Sequence, residues 1–321
     1  RLKLQLFCLK FMPRSQAGAM DELPESALEK AATEGDVACL RELMSESDFE
    51  SGSETVALAL QNAAMAGHWE SVRCLVEEAQ CDVSTDATGG VVLQYAALAG
   101  RLDIVSLTLQ KGASACNAAG ANALRAAASL GRIDIIDCLS QYGAAVVATG
   151  GAAACTAAWA GHWEVVQHLV AKGANLARDG AGCQLLAQAT DECQVEIVKL
   201  LHEQGVDVRS MAGTAALLHM SLPMQWSTCR GAVRRLVELG VDVKSEAGAV
   251  ALVTAAKYGD LEMVTLLINH GVNVSAGNGS QALTEAGLLG PPSDKEEVVK
   301  LLLKHGAVAL PLPALELDDD F

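Results

Sequence analysis

Apolar and small residues return along this chain in one fixed pattern. Two small residues, two variable ones and a glycine lead into a stretch with apolar residues at helical spacing. That stretch closes on a second glycine. The clearest copies are AAMAGHWESVRCLV from Ala63, AALAGRLDIVSLTLQKG from Ala96, AASLGRIDIIDCLSQYG from Ala127, AAWAGHWEVVQHLVAKG from Ala157 and AAKYGDLEMVTLLINHG from Ala255. The first glycine falls at Gly35, Gly67, Gly100, Gly131, Gly161, Gly259 and Gly290, with Cys193 and Met224 in its place in two copies. Steps of 30 to 35 residues predict about nine units between Ala27 and Ala307. A period of that length specifies a solenoid, in which each unit buries its apolar face only against its neighbours.

Each unit predicts two helices. The first is short and rich in alanine, which favours helix and lets backbones approach closely. The glycine suits a turn that needs a left-handed residue. The second helix carries its apolar residues at helical spacing, as with Val165, Val166, Leu169 and Val170. It ends at another glycine (Gly112, Gly143, Gly173, Gly205, Gly240, Gly271 or Gly306), and a polar, glycine-rich link leads on. Gly-Asn-Gly at 277–279 reads as punctuation in such a link.

The stretches GHWEVVQHLVAKGANL (161–176), GDLEMVTLLINHGVNV (259–274) and VEIVKLLHEQGVDV (195–208) resemble the second helix and following loop of ankyrin repeats. The resemblance covers nearly the whole chain. It implies an all-α solenoid of about nine helix-turn-helix units joined by short hairpin-like loops. The Thr-Pro-Leu-His that opens the first helix in that family is absent. Its place is held by LALQ (58–61), VVLQ (91–94), NALR (122–125), AAAC (152–155) and VALV (250–253). Several loops are also about two residues shorter than the 33-residue norm.

Composition fits a thin, stacked core: 51% of the 321 residues are apolar but only 3% aromatic. No apolar run reaches the roughly 20 residues that a membrane-spanning helix needs. The ten cysteines form no Cys-x-x-Cys pair and read as small buried hydrophobes in a reducing compartment. A net charge of −16 argues against nucleic acid or an anionic membrane as partner and favours a basic one. Phosphate-loop, zinc-protease, nucleophile-elbow and EF-hand motifs are all missing, so no catalytic residue, metal ligand or cofactor is expected.

Residues 1–20 form a basic extension, either non-native or a targeting segment; 21–309 hold the repeats; 310–321 form an acidic tail. Cytoplasmic location is expected, with organelle targeting as the alternative if residues 1–19 are a transit remnant. Two units carry about four extra residues between their helices, LPMQWSTCRG (222–231) and GPPSDKEE (290–297). Trp226 in the first of these offers itself as an exposed anchor at the edge.

The resemblance also implies a site. In ankyrin repeats the two variable residues before the turn glycine face a concave groove. The positions here that would contact a partner are Met65, Leu98, Leu130, Trp159, Asp191, Glu192, Lys257 and Tyr258. Their apolar run around Trp159 suits an amphipathic helix or an extended apolar peptide, and the net negative charge suits a partner with a basic segment. Trp69 and Trp163 stand where other units have Leu or Ile and read as core, and His68 and His162 as turn residues. The function expected is a non-catalytic scaffold that binds a partner protein. The alternatives are a structural subunit of a larger assembly, or the ankyrin portion of a longer regulatory protein.

Overall fold

The computed structural model describes residues 27–46, 54–177, 180–275, 277–288 and 292–308. The segments 1–20 and 310–321, and Gly290, lie outside the described residues. Within them the chain forms 18 α-helices and no strand. They pair into nine units: α1 (Ala27–Glu34) with α2 (Val37–Glu46), α3 (Glu54–Ala66) with α4 (Trp69–Glu77), α5 (Val91–Leu98) with α6 (Leu102–Gln110), and α7 (Ala118–Ser129) with α8 (Ile133–Gln141). The later pairs are α9 (Val146–Trp159) with α10 (Trp163–Ala171), α11 (Ala181–Asp191) with α12 (Val195–Glu203), α13 (Met211–Met220) with α14 (Trp226–Glu238), α15 (Glu246–Lys257) with α16 (Leu261–Asn269), and α17 (Gly277–Leu288) with α18 (Pro292–Lys304).

The units form two compact bodies, one of 27–127 with 132–145 and one of 128–131 with 146–308. In the first, α1, α3 and α5 stack in sequence, as do α2, α4, α6 and α8. In the second, α9, α11, α13, α15 and α17 stack in one layer and α10, α12, α14, α16 and α18 in the other. The alanines make the first layer close-packed: Ala153, Ala154, Ala157 and Ala158 of α9 are all buried. The second layer supplies volume, with Val165, Val166 and Leu169 of α10 and Met263, Val264 and Leu267 of α16 buried. Leu169, fully buried, is typical; burying a leucine side chain is worth about 1.5–3 kcal/mol.

The turn between the two helices follows the sequence rule. Gly35, Gly67, Gly100, Gly131, Gly161 and Gly259 all have positive φ, and so does Cys193, at 55°. Met224 does not take this role. In its unit the chain passes through Ser221–Gln225 into a helix of 13 residues, against nine in α6, α8, α10, α12 and α16. α18 is likewise 13 residues long. The four extra residues of these units therefore become one more helical turn.

Two of the described links are short loops closed on themselves. Asp207 Oδ1 accepts from the Arg209 amide at 2.9 Å, and Ser210 Oγ donates to the Asp207 carbonyl at 2.7 Å. Asp242, Lys244 and Ser245 repeat this at 2.9 and 2.7 Å. Such side-chain turns hold a backbone that neither helix satisfies. At five of the described links the loop lies against the start of the next helix at a glycine. A Cβ on Gly213 would stand 1.7 Å from the Val208 carbonyl oxygen, and one on Gly248 1.9 Å from that of Val243. Gly89, Gly120 and Gly279 meet Val83, Ala115 and Val274 in the same way at 1.8 or 1.9 Å. The close approach packs each of these five loops directly onto the helix start that follows it. It also corrects the reading of Gly-Asn-Gly at 277–279, which is the first turn of α17.

Candidate functional site

The predicted contact residues all fall where a first helix ends. Met65 is in the last turn of α3, Leu98 ends α5, Leu130 follows α7, and Trp159, Asp191 and Lys257 end α9, α11 and α15. Glu192 and Tyr258 are the next residues, capping α11 and α15. Their exposures differ. Met65 is 36% exposed and Leu98 and Leu130 are half-buried, whereas Trp159 is 69% and Tyr258 51% exposed. A large aromatic ring left this open at a helix end contributes little to its own fold.

In the second body these residues are tied from unit to unit. Trp163 Nε1 donates to Glu192 Oε2 at 2.7 Å. Asp191 Oδ1 lies 3.0 Å from Nδ1 of His219 on α13. Tyr258 Oη donates to the Pro223 carbonyl at 2.9 Å, and Lys257 Nζ lies 3.4 Å from Glu285 Oε2 on α17. The outcome is a row running through four units: Trp159, then Asp191 and Glu192, then the Ser221–Gln225 turn, then Tyr258. That turn adds Leu222 and Met224, 41% and 95% exposed, which the sequence reading passed over. Lys257 is held by its carboxylate partner. Among the described ion pairs, neither Asp191 nor Glu192 meets a lysine or arginine, so both carboxylates present negative charge between apolar neighbours.

Trp226 is a correction. It is only 2% exposed and opens α14 with its ring in the core, so it cannot serve as an edge anchor. The reason is register: once the insertion is helical, Trp226, Cys229, Val233 and Leu236 share one buried face. Trp69 and Trp163, expected in the core, are half-buried, and the Arg101 guanidinium lies over the Trp69 ring at 5.9 Å. His68 and His162 do sit at the turns but make no side-chain cap bond. Their rings instead cover Gly35 and Gly131 of the preceding units. Arg132 does the same at Gly100, donating to its carbonyl.

The cysteines depart from the uniform reading. Cys193 and Cys229 are joined as a disulfide, with Cα atoms 5.0 Å apart. Cys74, Cys81 and Cys155 are buried as expected, whereas Cys116 and Cys183 are exposed. Burial pushes the thiols of Cys81 and Cys155 up to about 11, so neither is a nucleophile near neutral pH. Among the described residues, no three His, Cys, Asp or Glu side chains converge as metal ligands, and no helix is long and apolar enough to cross a membrane.

Comparison with known proteins bears on the repeat itself. The sequence profile of the family described as ankyrin repeats (3 copies) matches residues 28–118, 60–150 and 224–310. Among solved structures, the ankyrin repeat domain of human ASB11 is similar at 22% identity, over 65% of this chain and 96% of that one, with a TM-score of 0.42. A search of curated proteins finds no match. The profile matches span more than half of the sequence, and their period is that of the helix pairs, so the chain belongs to the ankyrin-repeat family.

Proposed function

We propose that this protein is a non-catalytic scaffold that holds a partner protein against the row of its second body. Ankyrin repeats are in general protein–protein interaction modules. The observation that carries the reading is Trp159, 69% exposed at the end of α9 with two carboxylates on the next unit. Exposed tryptophan and tyrosine are frequent anchors, because a large rigid surface is buried at small entropic cost. Leu222, Met224 and Tyr258 extend the apolar surface, and the Asp191–Glu192 pair between them favours a cation. The partner that fits is a segment with apolar side chains flanking a lysine or arginine.

The test is affinity capture with quantitative mass spectrometry. Trp159→Ala and Tyr258→Ala are compared with Lys199→Ala, an exposed change on α12 in the other layer. Circular dichroism checks that each variant is folded. Loss of the same partner with both aromatic variants, and its retention with Lys199→Ala, supports the reading. A partner set unaltered by Trp159→Ala in a folded protein refutes it.

A further inference from the structure

We propose that Cys193 and Cys229 form a reversible thiol–disulfide site, and that its state sets how firmly the Ser221–Gln225 turn is held. Three observations on the pair point there. First, Cys193 occupies the helix-turn position where six other units have glycine, and takes the same left-handed backbone at φ 55°. A side chain is disfavoured there, so the turn geometry does not explain the cysteine. Second, Cys229 lies in the first turn of α14, which is the extra turn that the nine-residue second helices lack. Third, the Cα separation of 5.0 Å lies inside the range a disulfide spans without backbone movement.

Access is asymmetric. Cys193 is half-buried in a turn, whereas Cys229 is 1% exposed. Oxidised glutathione is a suitable oxidant. The Cys193 thiolate attacks one glutathione sulfur, forming a mixed disulfide and releasing a first glutathione thiolate. The Cys229 thiolate then attacks Cys193 Sγ and displaces the second. One sulfur–sulfur bond breaks in glutathione and one forms in the protein. Two electrons and the two thiol protons pass to two glutathione molecules, and excess reduced glutathione reverses the exchange.

The bond ties the α11–α12 turn, directly after Asp191 and Glu192, to the helix directly after Leu222 and Met224. Any effect on partner binding rests on the function proposed above. The test therefore uses the purified full chain with no partner. The protein is equilibrated at several ratios of reduced to oxidised glutathione, trapped with N-ethylmaleimide and peptide-mapped. Hydrogen exchange is followed at the amides of 221, 222 and 224–229, position 223 being proline. The expected result is interconversion of the 193–229 pair across the series while circular dichroism stays constant. Exchange in the segment should be more than about tenfold slower in the oxidised form, a floor set by the usual contribution of a crosslink. Cys193→Gly restores the turn glycine and removes the bond. It should fold and exchange like the reduced protein at every ratio. Both cysteines alkylated at every ratio, a pair still joined at the most reducing ratio, or a ratio-dependent exchange that persists in Cys193→Gly would each overturn the proposal.

Discussion

Gly248→Ala separates the packing account from helix propensity. Gly248 is buried in the first turn of α15, and alanine is the better helix former by about 1 kcal/mol. Propensity alone therefore predicts stabilisation. The structure predicts the reverse, because an ideal Cβ would stand 1.9 Å from the Val243 carbonyl oxygen and 2.5 Å from its carbon. Real contacts essentially never fall below 3.0 Å, and the obstructing atoms are backbone. Either the 241–245 loop or the start of α15 must move by about 1 Å, and both are held by the Asp242 turn. Overpacking of this kind costs about 1–3 kcal/mol beyond any propensity gain. For a body of this size, each 1 kcal/mol lowers the melting temperature by about 2–4 °C. Gly231→Ala in α14 is the control: its Cβ would meet only Val195 Cγ2 at 3.6 Å, an ordinary contact. It should be neutral or slightly stabilising. Urea and thermal unfolding of both variants decide the matter. If Gly248→Ala proves as stable as Gly231→Ala, the account of the loop packed against the helix start is wrong.

Leu169→Ala should lose roughly 2–5 kcal/mol by leaving a cavity between the layers, whereas Trp159→Ala should change the urea midpoint little. Trp226→Ala should destabilise by roughly 3–5 kcal/mol, which chemical denaturation would distinguish from the near-neutral effect of losing an exposed anchor. Asp103 carries a pH prediction. The guanidinium of Arg101, by hydrogen bond and charge, holds its carboxyl down from an ordinary 3.8 to about 2. The folded state thus prefers the charged form, so the stabilisation is present above pH 3.8 and fades as pH falls towards 2. The carboxylate is 42% exposed and screened, so Asp103→Asn should cost less than about 1 kcal/mol at pH 7. The difference in urea midpoint from wild type should shrink between pH 5 and pH 2.5.

Much of the architecture could be read from the amino acids because each turn glycine is a local requirement. The turns at Gly100 and Gly161 need a left-handed residue, which glycine supplies without steric cost, and Val165, Val166 and Leu169 mark their own helix face. The glycines at Gly89, Gly120, Gly213, Gly248 and Gly279 carry an equally regular signal, but the reason for it is a contact with a carbonyl five or six residues earlier. Only the folded loop shows that contact. Trp226 lies in the core because the insertion is helical. The spacing of Trp226, Cys229, Val233 and Leu236 already continues the helical period upstream. The Cys193–Cys229 pair joins two units at different points of the repeat, so no periodic argument could match them. Of the proposed site, Trp159 and Tyr258 follow from their place in the repeat. Leu222 and Met224 do not, because among the described turns theirs has no left-handed residue.

Site-specific photocrosslinking tests the central claim most directly. A photoreactive phenylalanine analogue is placed at position 159, and in a second protein at position 199 on α12. Each is irradiated in lysate, and crosslinked peptides are sequenced. The account predicts adducts from position 159 with a recurring partner segment that carries apolar residues beside a lysine or arginine, and none of these from position 199. The same segment captured from position 199, or no adduct from position 159 in a folded protein, would contradict it.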